Sequence, residues 1–372
     1  MSAVLKKVEC YRSVDIKLRW RQPYILLFPT IIMYKILIKL TIVAIAVACL
    51  TTSALAQLFS YTLVDQQVND IAYSQATGMI YAAVPSTGGI YGNYIIAVEP
   101  RSGQIIGSAF AGSEPTKLAT TADGTFLYVG FSGASLVKRF QLPSLTTDLT
   151  IDLGSGSNGA YFAEDIAPIP GRPNLVAISR RNQCCSPRHE GVVLYNGATI
   201  APNSTPRTSL NNEIEASADG STIYAYNNET SGFEIRTLAV DDNGVSITSS
   251  YSGGFGAYSI EIRTLRGLVY GSNGKVLDPS TGSSVGVFSV GAISAEGFVI
   301  DRLNRRIFFG TGSTIKAFDL GTYQPMGAIT LPTATDTKAH LVRWGRRGLA
   351  YRNNAGQLVI AETLLVTAKR YN

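Results

Sequence analysis

Few residues of this 372-residue chain could serve as a catalytic base or as a soft metal ligand. The sequence contains two histidines, His189 and His340, and four cysteines. A Ser-His-Asp arrangement would have to use one of these histidines, and no Gly-x-Ser-x-Gly motif sits on a strand-to-helix turn to supply the nucleophile. Cys184 and Cys185 are adjacent, which is poor geometry for chelating one metal ion. The sequence therefore favours a non-enzymatic protein, although it leaves the question of enzymatic activity open.

A second group of candidates consists of carboxylates that stand at or shortly before apolar, strand-like segments. They are Asp70, Glu114, Glu164, Asp165, Glu213 and Glu296. Carboxylate oxygens are the ligands that Ca²⁺ prefers. These residues are far apart in the chain, so they could bind one ion only if the segments that follow them converge.

A phrase that recurs seven times predicts the elements that would bring the carboxylates together. In six copies, a turn containing glycine or a charged residue is followed by an apolar residue and then an aromatic one, and in a degenerate seventh copy Val176 takes the aromatic position. The aromatic position is filled by Tyr81, Tyr128, Val176, Tyr224, Tyr270, Phe308 and Tyr351. Successive copies lie 38 to 48 residues apart, and a β-patterned repeat of that length is typical of propeller blades. The sequence therefore predicts an all-β chain that forms a single β-propeller of seven four-stranded blades.

Each period also contains segments for the other three strands of a blade. An apolar segment such as 117–120 precedes the phrase and would lie nearest the axis, and a third strand such as 94–99 follows it. A turn with an acid, a proline and a glycine then leads to an outer strand such as 104–109. Residues 58–64 resemble a strand outside any blade, so we expect this N-terminal strand to pair with the last blade and latch the ring. A parallel β-helix is the main alternative, but its coils are shorter and more regular.

In such a ring, the residues that lead into the inner strands lie on one face, close to the central channel. Propeller lactonases and related hydrolases carry a metal at this place, so a calcium-dependent, lactonase-like hydrolase is the alternative function. The carboxylates could instead hydrogen-bond the facing loops or be solvated around the channel mouth. No cofactor is predicted beyond this possible calcium ion.

The phrase resembles the repeat of bacterial YVTN-type propellers, which include YncE-like and surface-layer-associated repeat proteins. The resemblance is carried by residues 127–129 (Leu-Tyr-Val), 98–103 (Val-Glu-Pro-Arg-Ser-Gly) and 277–282 (Leu-Asp-Pro-Ser-Thr-Gly). It covers essentially all of residues 57–372. It implies the fold and export, and it specifies no functional site.

The third repeat departs from the pattern because it contains an insertion between its second and third strands. The residues of interest there are Arg180, Arg181, Cys184, Cys185, Arg188 and His189. Loops of this kind often carry binding residues. Alternatively, the segment is a long hairpin whose arginines pair with nearby acids. The two cysteines could form a vicinal disulfide or stay reduced.

The first 56 residues predict export. Residues 40–50 form a short apolar run after Lys35 and Lys39, and the Ala-Leu-Ala sequence at 54–56 matches a signal-peptide cleavage site before Gln57. Residues 33–56 are therefore predicted to be a signal peptide, and residues 1–32 a mis-annotated or disordered leader. The apolar run is shorter than the roughly 20 residues that a membrane-spanning helix needs. Lipid attachment at Cys49 is a minor alternative.

The charge of the remaining residues argues against a nucleic-acid partner. Residues 1–56 contain eight of the basic and two of the acidic residues, so residues 57–372 carry equal numbers of each. The sequence therefore predicts a secreted, periplasmic or cell-surface bacterial protein that is a monomer without a membrane span after cleavage. Its predicted function is that of a non-enzymatic binding or cell-envelope scaffold for a protein, peptide or glycan. A propeller that carries a cofactor is a third possibility.

Overall fold

The computed structural model describes residues 59–291, 297–332 and 337–367, and most of them lie in β-strands or in the turns between strands. The first strands are β1 (Phe59–Gln67), β2 (Asp70–Ser74), β3 (Met79–Ala83), β4 (Tyr94–Glu99), β5 (Gln104–Phe110), β6 (Pro115–Thr120), β7 (Phe126–Phe131), β8 (Leu136–Gln141), β9 (Thr146–Asp152), β10 (Ser155–Gly156) and β11 (Gly159–Ala160). They are followed by β12 (Phe162–Pro168), β13 (Leu175–Arg181), β14 (His189–Asn196), β15 (Thr199–Ser204), β16 (Glu213–Ala216), β17 (Thr222–Tyr226), β18 (Ile235–Asp241), β19 (Gly244–Tyr251) and β20 (Ile262–Leu265). The last strands are β21 (Leu268–Gly271), β22 (Lys275–Asp278), β23 (Ser283–Val287), β24 (Gly297–Asp301), β25 (Arg306–Thr311), β26 (Thr314–Asp319), β27 (Pro325–Thr330), β28 (Thr337–Trp344), β29 (Gly348–Asn353) and β30 (Gln357–Thr363). Short 3-10 turns occur at Gly89–Tyr91, Arg207–Ser209 and Leu364–Val366.

The strands form a succession of antiparallel sheets. Four sheets have four consecutive strands each, namely β2–β5, β6–β9, β20–β23 and β24–β27, and β28–β30 form a fifth four-stranded sheet together with β1. Strands β12–β19 form one eight-stranded sheet, whose two antiparallel halves are joined by a single parallel bridge between Asn203 and Gly244. The bridge can form because Gly244 has no side chain and contacts the carbonyl of Asn203 directly. The third and fourth repeats are therefore continuous, where the sequence predicted separate sheets.

The hydrophobic core lies between sheets and closes on itself. Among the described residues, hydrophobic clusters connect each repeat with the next. One cluster, for example, joins Tyr81 of the first repeat to Leu127 of the second. Another joins Trp344 of the last repeat to Ile80 of the first. Such a closed succession of sheets around an axis confirms the predicted all-β propeller architecture.

The aromatic positions of the phrase occupy the second strand of every repeat. Tyr81, Tyr128, Phe308 and Tyr351 are completely buried, as is Val176, which takes the aromatic position in the third repeat. Aromatic and β-branched side chains suit such strands because they fill the space between neighbouring sheets. The phrase therefore marks the core of the ring.

The N-terminal strand completes the last sheet, as the sequence predicts. Strand β1 pairs antiparallel with β30, from Phe59 opposite Thr363 to Gln67 opposite Gln357. Val64 of this strand is buried in the core, whereas its neighbour Leu63 is exposed. Side chains alternate between the two sides of a strand, so β1 contributes one face to the core.

The antiparallel order gives the ring two different faces. At one, the inner strands β2, β6, β12, β16, β20, β24 and β28 begin and the longer connections lie; we call it the loop face. At the other, tight turns such as those joining β2 to β3 and β4 to β5 lie; we call it the turn face. The predicted leader (1–32) and signal peptide (33–56) lie outside the described residues. Within the described ranges, no helix is long and apolar enough to cross a membrane.

Candidate functional site in the central channel

Charged side chains occupy one equivalent position on most of the inner strands. In each case, the charged residue directly precedes a buried or half-buried apolar residue of the strand, as Asp70 precedes Ile71 and Lys117 precedes Leu118. The charged residues at this position are Asp70, Lys117, Asp165, Glu213, Glu261 and His340, and together they line an axial cavity of about 90 Å³. The structure therefore brings together three of the predicted carboxylates, Asp70, Asp165 and Glu213.

Two of these carboxylates tie neighbouring repeats together. The carboxylate of Asp70 accepts hydrogen bonds from the backbone N–H of Ile71 (2.7 Å) and from that of Leu118 in the next repeat (2.8 Å). Asp165 repeats this arrangement, accepting from Ile166 (3.0 Å) in its own strand and from Ile214 (2.9 Å) in the next repeat. Hydrogen bonds from amides to an ionised carboxylate are among the stronger ones in proteins, so these residues act as clips between inner strands.

The sixth repeat has Gly297 at the equivalent position. A Cβ atom there would lie 2.9 Å from the backbone nitrogen of Leu341 in the next repeat, which is too close for a side chain. The sixth and seventh repeats are instead joined nearer the turn face, where Arg343 Nε lies 2.7 Å from the carboxylate of Asp301. The glycine thus allows the two inner strands to approach directly.

Two cations lie among the carboxylates of the channel. Burial alone would lower the pKa of Lys117, but the charges of Glu213 and Asp165 outweigh it, so its pKa is raised. Burial would likewise lower the pKa of Arg263, and the charges of Glu215 and Glu261 raise it. Both side chains therefore remain charged and partly neutralise the carboxylates around them.

The carboxylates nevertheless outnumber these cations, and this affects their protonation. Burial, followed by the negative charge of Asp165, raises the pKa of Glu213 to about 8. Burial raises the pKa of Glu215 to about 7, against the opposing charge of Arg263. Desolvation disfavours the ionised form of a carboxyl group, so part of this acid cluster is protonated near neutral pH.

Two of the predicted carboxylates have other partners and do not line the axial cavity. Glu114 lies in the connection before β6 and accepts a hydrogen bond from the backbone N–H of Ser86 (3.2 Å). Glu164 lies at a bulge in the pairing of β12 with β13, and it forms an ion pair of 2.9 Å with Arg181. Neither residue is part of the lining of the axial cavity, and a role for them at the channel mouth stays a prediction. Glu296 lies outside the described residues.

Sequence reasoning also missed members of the cluster. Lys117, Glu261, Arg263 and Glu215 were not among the candidates, and His340 was considered only as a catalytic base. The signal was present in the sequence, because Lys117 and Glu261 occupy the same repeat position as Asp70. A search restricted to oxygen ligands does not detect it.

The arrangement offers a calcium ion few uncommitted oxygens. Asp70 and Asp165 already accept backbone hydrogen bonds, and the ammonium group of Lys117 lies close enough to both carboxylates to stabilise their charges. No group of three or more His, Cys, Asp or Glu side chains is arranged to hold a metal ion in the part of the chain that the structure describes. The donor set therefore fits a calcium ion poorly, and a calcium site stays a prediction.

The insertion of the third repeat is an ordered loop, residues 182–188, on the loop face. Its organiser is the buried Asn182, whose side-chain oxygen accepts hydrogen bonds from the backbone N–H groups of Cys184 and Cys185 (2.9 Å each). These two cysteines form a vicinal disulfide. Gln183 donates to the carbonyl of Ser132 in the second repeat (2.7 Å).

The arginines of this region are engaged within the ring. Arg188 contacts Glu229 of the fourth repeat through its backbone N–H (2.9 Å) and through Nε (3.3 Å). The guanidinium of Arg180 stacks on the ring of Tyr161 at 4.5 Å and donates to the carbonyl of Glu190 (3.2 Å). The loop therefore bridges the repeats on either side of its own.

His189 is separate from the exposed part of this loop. It is the first residue of β14 and is completely buried, with Nδ1 3.5 Å from Ser179 Oγ and Nε2 3.3 Å from Ser209 Oγ. Burial, followed by the charge of Arg236, lowers the pKa of His189 to about 3. A neutral, enclosed imidazole that bridges two hydroxyl groups stabilises the packing of the third repeat against the fourth, and no ligand can reach it in this state.

The loop face also carries an exposed apolar group at the rim of the first repeat. Ile90 and Phe110 are 87% and 61% exposed. The ring of Tyr94 lies between those of Tyr91 (6.4 Å) and Phe110 (5.6 Å). We call these four residues the rim patch.

Comparisons with known proteins bear on the fold. No family model matches the chain, and no curated protein sequence matches it. The β-propeller domain of Cps50 (Swd1) from Myceliophteria thermophila superposes with a TM-score of 0.61 at 12% identity, over 82% of this chain and 100% of that one. The chain is a β-propeller. A chain in the crystal structure of a mitotic checkpoint complex superposes with a TM-score of 0.57 at 13% identity, over 82% of this chain and 91% of that one. These neighbours are WD40-like propellers and show the fold alone, so the YVTN-type resemblance stays a prediction.

Proposed function

We propose that this propeller is an exported, non-enzymatic binding scaffold of the YVTN type that acts at the bacterial cell envelope. The proposal includes seven blades, and it is supported by the eight-stranded sheet, which consists of two four-stranded halves that share one bridge. The proposal of export rests on the signal peptide predicted over residues 33–56. Sequencing of the exported product should give Gln57 as its first residue, and a lipid-modified Cys49 would instead indicate an anchored form.

The proposal rests on the fact that the charged side chains of the channel are hydrogen-bonded or charge-paired within the ring. Asp70 and Asp165 each accept one backbone hydrogen bond within their own strand and one from the next inner strand. Lys117 lies among them and neutralises part of their charge. Groups committed in this way hold a ring rigid, and rigidity reduces the entropy that a binding surface loses on association.

The partner that we propose is a protein, and the surface is the rim patch. Exposed aromatic and large apolar side chains are typical of the centres of protein interfaces. The patch combines two tyrosines with Ile90 and Phe110, and it lies on the same face of the ring as the ordered loop 182–188. The neighbour from the mitotic checkpoint complex supports the use of such a ring within an assembly.

Site-specific cross-linking tests this proposal. A photo-reactive residue at Ile90 of the full chain, produced in its native host, should give one adduct of defined mass. The same residue at Ile247, which is 39% exposed on an outer strand, is the matched control and should give none. The substitution Phe110→Ser should abolish the adduct. An equal adduct at both positions, or none at Ile90, would contradict the proposal, and an adduct that resists protease but not glycosidase would identify a glycan instead.

A hydrolysis assay separates the scaffold from the calcium-dependent hydrolase. We expect the full chain to hydrolyse neither lactones nor aryl esters above the buffer rate, with or without added Ca²⁺. Turnover that a chelator removes and that Asp165→Asn reduces would show that the channel is an active site.

A further inference from the structure

A second cavity, of about 550 Å³, opens on the turn face of the ring. It is enclosed by the turns between the first and second strands of three consecutive repeats, which contribute Asp219, Arg266, Arg302 and Arg305. The turn between β26 and β27 closes its outer side with Leu320 and Gly321. Cavities of this volume are typical of sites for small organic ligands.

The charge of this cavity is positive. In the part of the chain that the structure describes, none of the guanidinium groups of Arg266, Arg302 and Arg305 forms an ion pair with a carboxylate. The carboxylate of Asp219 is held by its own turn, where it accepts hydrogen bonds from Ser217 Oγ (2.6 Å) and from Ser221 Oγ (2.9 Å). The cavity therefore contains three guanidinium groups and one carboxylate, and that carboxylate is already hydrogen-bonded within its own turn.

The carboxylate of Asp319, near the outer edge of the cavity, is also hydrogen-bonded within its own turn. Asp319 lies close enough to Arg305 for the guanidinium to stabilise its charge. Its Oδ1 atom already accepts the backbone N–H groups of Gly321 and Thr322 (2.9 Å each). Arg305 therefore retains donors for a ligand.

The backbone position of Arg305 is unusual for a residue with a side chain. Its φ is 52°, in the left-handed region that favours glycine. It stands three residues before Phe308, and the residues that stand three before the aromatic position in the first and fifth repeats are Gly78 (φ 72°) and Gly267 (φ 77°). The sixth repeat thus places a guanidinium where the turn itself favours glycine, and that guanidinium lines the cavity.

The remaining wall of the cavity is apolar and aromatic. Its lining includes the side chains of Tyr224, Tyr270, Leu265 and Leu320. Tyr270 is 5% exposed and Tyr224 is half-buried, so their rings form a fixed surface. A guanidinium group can donate two parallel hydrogen bonds to the oxygens of a carboxylate or phosphate, and a flat apolar group packs well on an aromatic ring.

We propose that this cavity binds a small organic oxyanion, a carboxylate or phosphate ester that carries a flat apolar group. Its oxygens contact Arg302 and Arg305, and its apolar group packs on Tyr224. This inference is independent of the protein partner proposed above, because that partner occupies the loop face and this cavity opens on the turn face.

Calorimetric titration of the full chain with four probes tests the chemistry. Phenyl phosphate and benzoate should both bind, and the tighter of the two identifies the preferred oxyanion. Inorganic phosphate should bind at least tenfold more weakly because it lacks the apolar group, and benzyl alcohol should give no heat because it lacks the charge. The proposal is overturned if neither aromatic anion binds, or if inorganic phosphate binds as tightly as phenyl phosphate.

Two arginine substitutions locate the site. Arg305→Gly introduces the residue that the first and fifth repeats have at this position, so the thermal midpoint should stay the same or rise while the affinity for phenyl phosphate falls at least tenfold. Arg346→Ala removes the same charge from an exposed turn of the last repeat outside this cavity, and the affinity should change less than twofold. Unchanged binding in the first variant, or an equal loss in the second, would show that the cavity is not the site.

Discussion

The imidazole Nδ1 of His340 lies 2.9 Å from the carboxylate of Asp70, so the last inner strand is tied to the first at the axis of the ring. The same two repeats are joined again at the rim, where β1 pairs with β30. The ring is therefore closed at two radii, once by an ion pair and once by a strand.

The ion pair predicts a stability contribution that depends on pH. Burial would lower the pKa of His340, but the charge of Asp70 outweighs it and the pKa is raised. Burial would raise the pKa of Asp70, and His340 lowers it. The stabilisation from His340 is thus fully present below its unfolded pKa of about 6.5 and is lost as pH rises through the folded pKa.

We expect His340→Asn to lower the free energy of unfolding by about 1 to 2 kcal/mol at pH 5.5 and by clearly less at pH 9. Asparagine is a suitable replacement because it tolerates the left-handed backbone of this position, where φ is 57°. Urea denaturation at the two pH values measures the difference. A loss that is equal at both would show that the charge of the imidazole contributes nothing.

Replacement of Glu213 should raise the stability of the fold, whereas replacement of His340 should lower it. Its pKa is raised to about 8 in the folded chain, from an ordinary value of 4.5, so the folded state loses stability as pH rises between these values. The groups that face it are Asp165, Lys117, Glu261 and Arg263. Glu213→Gln removes the ionisation, so the variant should be more stable than wild type by about 1 to 3 kcal/mol at pH 8.5 and nearly equal to it at pH 4.5.

Thermal denaturation across this pH range tests the effect of Glu213→Gln. The exposed Glu362, changed to glutamine, serves as the control and should show no such trend. A variant that is less stable than wild type at pH 8.5 would mean that ionised Glu213 stabilises the ring through Lys117.

The latch can be tested with two neighbouring substitutions. Val64→Asp places a charge in the buried side of β1 and should lower the free energy of unfolding by about 3 kcal/mol or more. Leu63→Asp places the same charge on the exposed side and should cost less than about 1 kcal/mol. Guanidinium denaturation distinguishes them, and similar losses would mean that β1 packs less closely than its burial indicates.

The loop of the third repeat should depend on one side chain. Asn182→Ala removes both the acceptor for Cys184 and Cys185 and the donor to the carbonyl of Arg188. We therefore expect limited proteolysis within residues 183–188 to become at least tenfold faster. Gln183→Ala, which removes only the contact with Ser132, should have a smaller effect. If both variants resist protease equally, the disulfide or the contacts with Glu229 hold the loop instead.

The sequence predicted the ring well because its signals are local and repeated. An aromatic residue such as Tyr81 or Tyr128 at a fixed distance after a turn marks a buried second strand, and this can be recognised without knowing what packs against it. The latch was predictable for a similar reason, since a strand pattern outside any repeat needs a partner. The merging of the third and fourth sheets was not, because it depends on the approach of Gly244 to Asn203 across 41 residues of chain.

The channel was predicted less completely because side-chain direction there is set by single residues. Asp165 points to the axis, whereas the bulge at Glu164 turns its carboxylate towards Arg181. A pattern of acids cannot distinguish these two positions. The mixture of Lys117 with the acids was missed because a calcium site was sought, and the repeat position that they share was not compared across strands.

The pairing of β1 with β30 also constrains the order in which this chain can fold. Phe59 and Thr363 are roughly 300 residues apart, and such distant contacts form slowly because a long loop must close first. A chain that is synthesised or translocated from its N-terminus carries β1 as an unpaired strand until β30 has emerged. During that interval the strand, with the apolar side of Val64 uncovered, can pair with other chains. A chaperone that binds β1 until β30 arrives would therefore protect a ring that closes in this way.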